Sequence, residues 1–101
     1  MKLVSALCFS MTLFVSGLAL ADVATGKSTY AARGCIGCHG ADGVSTVANT
    51  PSLKGRDADF VKQSLTDFRS GARNSPVMNA MAAGLYDADI YNLADYIASL
   101  E

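Results

Sequence analysis

The chain has 101 residues, with eight Lys and Arg, nine Asp and Glu, a single His, no Trp and a formal net charge of −1. That length fits one small domain. The near-balanced charge and the lack of any basic run give nucleic-acid binding no electrostatic support.

At the N-terminus, Lys2 supplies a positive start and Leu3 to Leu20 form an uncharged, largely apolar run. Ala19-Leu20-Ala21 then offers small residues at a cleavage site, and Asp22 opens polar sequence. This three-part pattern predicts a signal peptide over 1–21, cleaved after Ala21, and hence an exported, periplasmic protein. The competing reading is a retained membrane anchor, because the run is near the spanning minimum. Cys8 lies inside the run and leaves with it. Residues 22–101 then form one domain with seven Lys and Arg against nine Asp and Glu. A domain of this size is short of core and gains from a bound cofactor.

The first helix is predicted over Thr25–Arg33, with Thr25 as a cap and Gly34 as a stop. Gly26 and Tyr30 share one face of it, and a glycine there admits a close helix neighbour. Next comes Cys35-Ile36-Gly37-Cys38-His39, a C-x-x-C-H run of the kind that attaches c-type haem. Each thiol can add across a vinyl group, and the adjacent imidazole sits under the iron. Export would also permit a Cys35–Cys38 disulfide. A thiol oxidoreductase, however, needs a thioredoxin-like βαβ pattern that is missing here. A zinc site would lack a fourth Cys or His in residues 22–101. A metal-bound imidazole donates its second N–H to an acceptor. The Pro51 carbonyl is the candidate, with a plain turn proline as the alternative.

A second helix is predicted over Ala58–Ser70, between Asp57 as N-cap and Gly71 as stop. Val61, Leu65 and Phe68 form its apolar stripe, widened by Phe60. His39 is the only histidine, so a second axial iron ligand must be of another kind. Met1 and Met11 go with the signal peptide, which leaves Met78 and Met81. Met78 follows Pro76 by two residues, at a junction from extended chain to helix, and is taken as the ligand, with Met81 as packing. A short helical turn is expected at Asn79–Ala83. The last helix is predicted over Asp87–Leu100, on the stripe Ile90, Leu93, Ala94, Ile97 and Leu100. Its Leu93 and Tyr96 are placed to meet Gly26 and Tyr30. No stretch alternates for long enough to read as a strand, so the fold class is all-α. A His/Met pair raises the reduction potential and closes the coordination sphere, favouring electron transfer over catalysis. Arg69, Arg73, Lys54 and Arg56 are candidate partners for haem propionates, Arg73 first for its nearness to Met78 in sequence. The alternative for each is a solvated surface charge.

Taken together, these residues resemble the small class I (monohaem) bacterial cytochromes c, and especially single domains of periplasmic dihaem cytochromes. The resemblance runs through Cys35–Gly43, Pro51–Gly55, Phe60–Gly71, Met78–Met81 and Leu85–Ile97. It implies a cytochrome c fold: three main helices and loops around a covalent haem c, with the N- and C-terminal helices crossing. It implies thioethers at Cys35 and Cys38, axial ligation by His39 and Met78, and the Pro51 carbonyl on His39. One departure stands at Tyr86, where relatives carry Ser or Thr as the cap of the last helix; here Asp87 is expected to take the cap, or the cap is weaker. The expected function is a periplasmic one-electron carrier, not an enzyme. Its redox partners would be an upstream dehydrogenase or bc-type complex and a downstream oxidase or reductase. It would make no stable membrane insertion once cleaved. The alternatives are an electron-transfer subunit of a larger periplasmic complex and, more remotely, a haem peroxidase.

Overall fold

The computed structural model describes residues 14–100, with side chains from Asp22 onward. Cys8, Met11 and most of the expected signal peptide lie outside the described residues. Five helices follow in order: α1 (Phe14–Ala32), α2 (Cys35–His39), α3 (Ala58–Ser70), α4 (Pro76–Ala83) and α5 (Asp87–Ala98). Among the described residues there is no strand, and no helix is long and apolar enough to cross a membrane.

The helix boundaries follow local chemistry, with three departures from expectation. The first is at α1, which does not start at a Thr25 cap but runs unbroken from Phe14. Leu18 to Ala24 contain no proline and are rich in Ala and Leu, so nothing halts the helix there. The second is at α4, which begins three residues before Asn79 because Pro76 occupies its first turn. Proline is suited to that position, where its missing N–H has no helical partner to lose. The third is at α5. Tyr86, not Asp87, is the N-cap, and the Asp89 carboxylate accepts the Tyr86 N–H at 2.8 Å. Asp87 instead accepts from Arg69 Nη2 at 2.7 Å, which ties the start of α5 to α3. The same helix ends at Ala98, two residues short of Leu100. The middle helix α3 has the expected ends: Asp57 Oδ1 accepts the Phe60 N–H at 2.8 Å, and Gly71 closes it at φ 89°.

The broadest packing is α1 against α5, with α3 lying on both α5 and α4. Gly26 makes the α1–α5 crossing close. A Cβ at this position would overlap the Asn92 carbonyl oxygen and lie 2.7 Å from Tyr96 Cβ. One turn on, Tyr30 packs its ring on Tyr96, with centroids 5.4 Å apart and planes tilted by 57°. Ile90, Leu93 and Ala94 of α5 are fully buried. The core continues across Val61 and Phe68 of α3 and Ala82 of α4.

Candidate haem-binding site

Gly34 at φ 80° turns the chain out of α1 and directly into α2. In a helical turn, residues three and four apart share a face. Cys35, Cys38 and His39 are therefore presented together, and all three line one cavity of about 600 Å³. Both thiols are free, Cys35 half-buried and Cys38 exposed. Burial pushes the Cys35 thiol up from its ordinary pKa.

His39 is buried, and its Nδ1 lies 2.8 Å from the Pro51 carbonyl oxygen. A carbonyl only accepts, so Nδ1 carries the proton and Nε2 keeps its lone pair. The loop between α2 and α3 holds Pro51 at this distance through backbone bonds. The Gly43 carbonyl accepts the N–H groups of Leu53 and Lys54, at 2.7 and 3.0 Å. At the base of the loop, the Tyr30 hydroxyl donates to the Gly40 carbonyl at 2.7 Å. Burial first, with nearby ionisable groups adding to it, pushes the Tyr30 phenol up to about 12. The loop is thus fastened to α1 at one end and folded back on itself at the other.

Met78 reaches the same cavity from α4, and Met81 lines it too. The remaining wall is largely apolar, with Phe60, Val61, Leu65 and Phe68 from α3 and Leu93 and Ile97 from α5. Three guanidiniums, of Arg33, Arg56 and Arg73, complete the lining. Arg56 stacks over Phe60 at 4.3 Å, and Arg73 over Phe68 at 4.6 Å, with Arg73 Nη1 also donating to Ser64 Oγ. Arg69 is engaged elsewhere, with the Leu85 carbonyl and Asp87, and neither it nor Lys54 lines the cavity.

This donor set fits haem c. The cavity is of ligand-pocket size and mostly apolar. It brings together two thiols at the vinyl spacing, an imidazole with a free lone pair, and a thioether. Three arginines also lie along its lining.

Reasoning from the sequence alone singled out Cys35, Cys38, His39, Pro51 and Met78, and the structure brings all five to this one region. It missed Asn79, whose side chain bonds three backbone groups around the start of α4. It also missed the Tyr30 hydroxyl as the tether of the loop. The three atoms bound by Asn79 are all main-chain, so no residue type in the sequence advertises them.

Known proteins are similar to this chain over most of its length. Residues 21–97 match the family described as cytochrome C oxidase, cbb3-type, subunit III. The chain is 36% identical over 83 residues to cytochrome c-554(548) of Halomonas halodenitrificans, covering 79% of this chain and 98% of that protein. It is 44% identical over 66 residues to the thiosulfate dehydrogenase electron acceptor of Stutzerimonas stutzeri, covering 64% of this chain but only 31% of that protein. Among solved structures, reduced recombinant cytochrome c4 from Pseudomonas stutzeri superposes with a TM-score of 0.74 at 33% identity. That alignment covers 81% of this chain and 50% of the other.

Proposed function

The chain belongs to the cytochrome c family, and on that premise we propose that residues 22–101 are an exported one-electron carrier with haem c joined to Cys35 and Cys38 and ligated by His39 and Met78. One observation carries the reading: two thiols, one imidazole and two thioethers line a single, mostly apolar cavity. When bound, haem c supplies reversible one-electron exchange between Fe(II) and Fe(III).

The protein's own groups do the rest. Cys35 and Cys38 anchor the macrocycle, so it stays with the chain through every cycle. The Pro51 carbonyl holds the His39 Nδ1 proton, which fixes the tautomer and aims Nε2 into the cavity. Met78 offers a soft thioether, which favours the lower-valent metal and raises the potential. The apolar wall from α3 and α5 keeps water from the site. Arg56 and Arg73, held over Phe60 and Phe68, stand ready to pair with the propionates. His39 and Met78 would together hold the iron from the protein and so leave oxygen or peroxide no entry, which sets the role of carrier above that of peroxidase.

A second reading, an electron-transfer subunit of a larger oxidoreductase complex, draws on the relatives. One of them is named as the electron acceptor of thiosulfate dehydrogenase, and the matching family is described as an oxidase subunit. An upstream dehydrogenase or bc-type complex and a downstream oxidase or reductase suit either reading.

The test is a redox difference spectrum of the exported holoprotein, before and after Met78→Ala. The parent should cycle by one electron and, when reduced, fail to bind carbon monoxide. The variant should have a lower potential and bind carbon monoxide. Ligation that stays unchanged in Met78→Ala, and also when Met81→Leu is added, would remove Met78 from the site. N-terminal sequencing of the same material should begin at Asp22.

A further inference from the structure

Resting on the ligand reading above, we propose that Asn79 is a positioning residue that selects Met78 over Met81 as the axial thioether by locking the register of α4 against the end of α3.

The selection is a real problem for this fold. Met78 and Met81 lie three residues apart on α4, close to one face, and both line the cavity. Their thioethers are chemically equivalent. Met78 is half-buried, whereas Met81 is 39% exposed. A small rotation or axial slip of α4 would exchange their positions.

The helix cannot resist that movement by itself. It has eight residues, below the length at which an isolated helix is stable. Its N-cap, Ser75, makes no side-chain bond to the helix. Among the described elements it packs broadly only on α3.

Asn79 supplies the missing constraint. Its Oδ1 accepts the Ser75 N–H at 2.9 Å, reaching back to the N-cap. Its Nδ2 donates to the Phe68 carbonyl at 2.8 Å and to the Arg73 carbonyl at 2.9 Å. The Phe68 carbonyl lies in the last turn of α3, where helical acceptors lack partners. One side chain therefore joins the end of α3, the link after it and the first turn of α4. Two acceptors meet the amide nitrogen and one donor meets the amide oxygen, so only one orientation of the amide satisfies all three. Asn79 follows Met78 directly in the chain, so the clamp and the ligand move together. Ala82, fully buried one turn further on, limits how deep the helix sits but offers no directional bond.

The experiment uses the holoprotein and the variants Asn79→Ala and Asn79→Asp, each with and without Met81→Leu. Asn79→Asp keeps the shape and the acceptor but loses both donated bonds, and covalent haem keeps either variant readable. Voltammetry and the axial methionine methyl resonance of the reduced protein report the ligand. Both Asn79 variants should show a second ligation form, in at least about a tenth of molecules. Adding Met81→Leu should remove that form. A single form at the parent potential in both Asn79 variants overturns the proposal. So does a second form that survives Met81→Leu. Met78→Ala in the parent background tests the underlying ligand reading separately. If it changes the axial resonance while the Asn79 variants do not, only the role of Asn79 fails.

Discussion

Tyr30 is 1% exposed, and its phenol ties α1 to the start of the loop that carries Pro51. Replacing it with Phe leaves the Gly40 carbonyl without its donor, which should cost about 1 kcal/mol at neutral pH. The pH dependence has a definite sign. The phenol titrates near 10 in the unfolded chain and near 12 in the folded one, so the folded state holds this proton more tightly. Stability from Tyr30 is then complete below pH 10 and is lost as pH rises through about 12. Thermal melts across that window should show a falling midpoint in the parent and a flatter profile in Tyr30→Phe. Parallel profiles would mean that Tyr30 does not titrate this way. The same residue marks how far single positions could be read from sequence. Cys35, Cys38 and His39 were legible because their chemistry depends on spacing within one turn. For Pro51, the rule that a ligating imidazole seeks an acceptor left a plain turn proline as the alternative, and the family resemblance favoured the carbonyl. The Tyr30–Gly40 and Asn79 bonds were not legible, because each ends on a carbonyl or amide that every residue possesses.

The helices show the same division between local and distant causes. The bounds of α3 were legible because Asp57 and Gly71 act within a turn of it. The crossing of α1 and α5 was legible because Gly26 and Tyr30 on one face matched Leu93 and Tyr96 on the other. It should be intolerant of bulk. Gly26→Ala drives a Cβ against the Asn92 backbone, which cannot swing aside as a side-chain tip can. Overpacking of this kind costs about 1–3 kcal/mol. Urea titration should show a lower midpoint with an unchanged slope; an unchanged midpoint would mean that the helices separate at no cost. At the cap of α5, of the two alternatives it is the weaker cap and not Asp87 that the structure shows, because Tyr86 contributes only its backbone. Its phenol, 76% exposed, makes no bond to the helix. The carboxylate that matters is Asp89, three residues on, which also meets Arg33 at 3.5 Å. Asp89→Ala should therefore destabilise by about 1 kcal/mol, as loss of a cap does. Asp87→Ala removes a largely exposed ion pair with Arg69 and should cost less, about 0.5 kcal/mol. Equal losses in paired melts of the two variants would refute this assignment.

For the molecule as a whole, the core and the site are the same object. Ten apolar residues are buried among those described, and seven of them also line the cavity: Tyr30, Val61, Phe68, Ala82, Leu85, Leu93 and Ile97. The walls of the site are therefore built from the core's own side chains. Without the cofactor, this mostly apolar cavity of about 600 Å³ exposes apolar surface to water, an unfavourable state for a small domain with little core. The double variant Cys35→Ala/Cys38→Ala, which cannot form the thioethers, should therefore lose more than redox activity. Its circular dichroism should show reduced helix and no cooperative thermal transition. The α1–α5 pair, built around Gly26, Ile90 and Ala94, should keep the most residual protection from hydrogen exchange, because its contact depends least on the cavity. A cooperative melt near the parent midpoint, with haem absent, would show instead that the helices pack without the cofactor. The cofactor would then be a guest in a finished fold and not its centre.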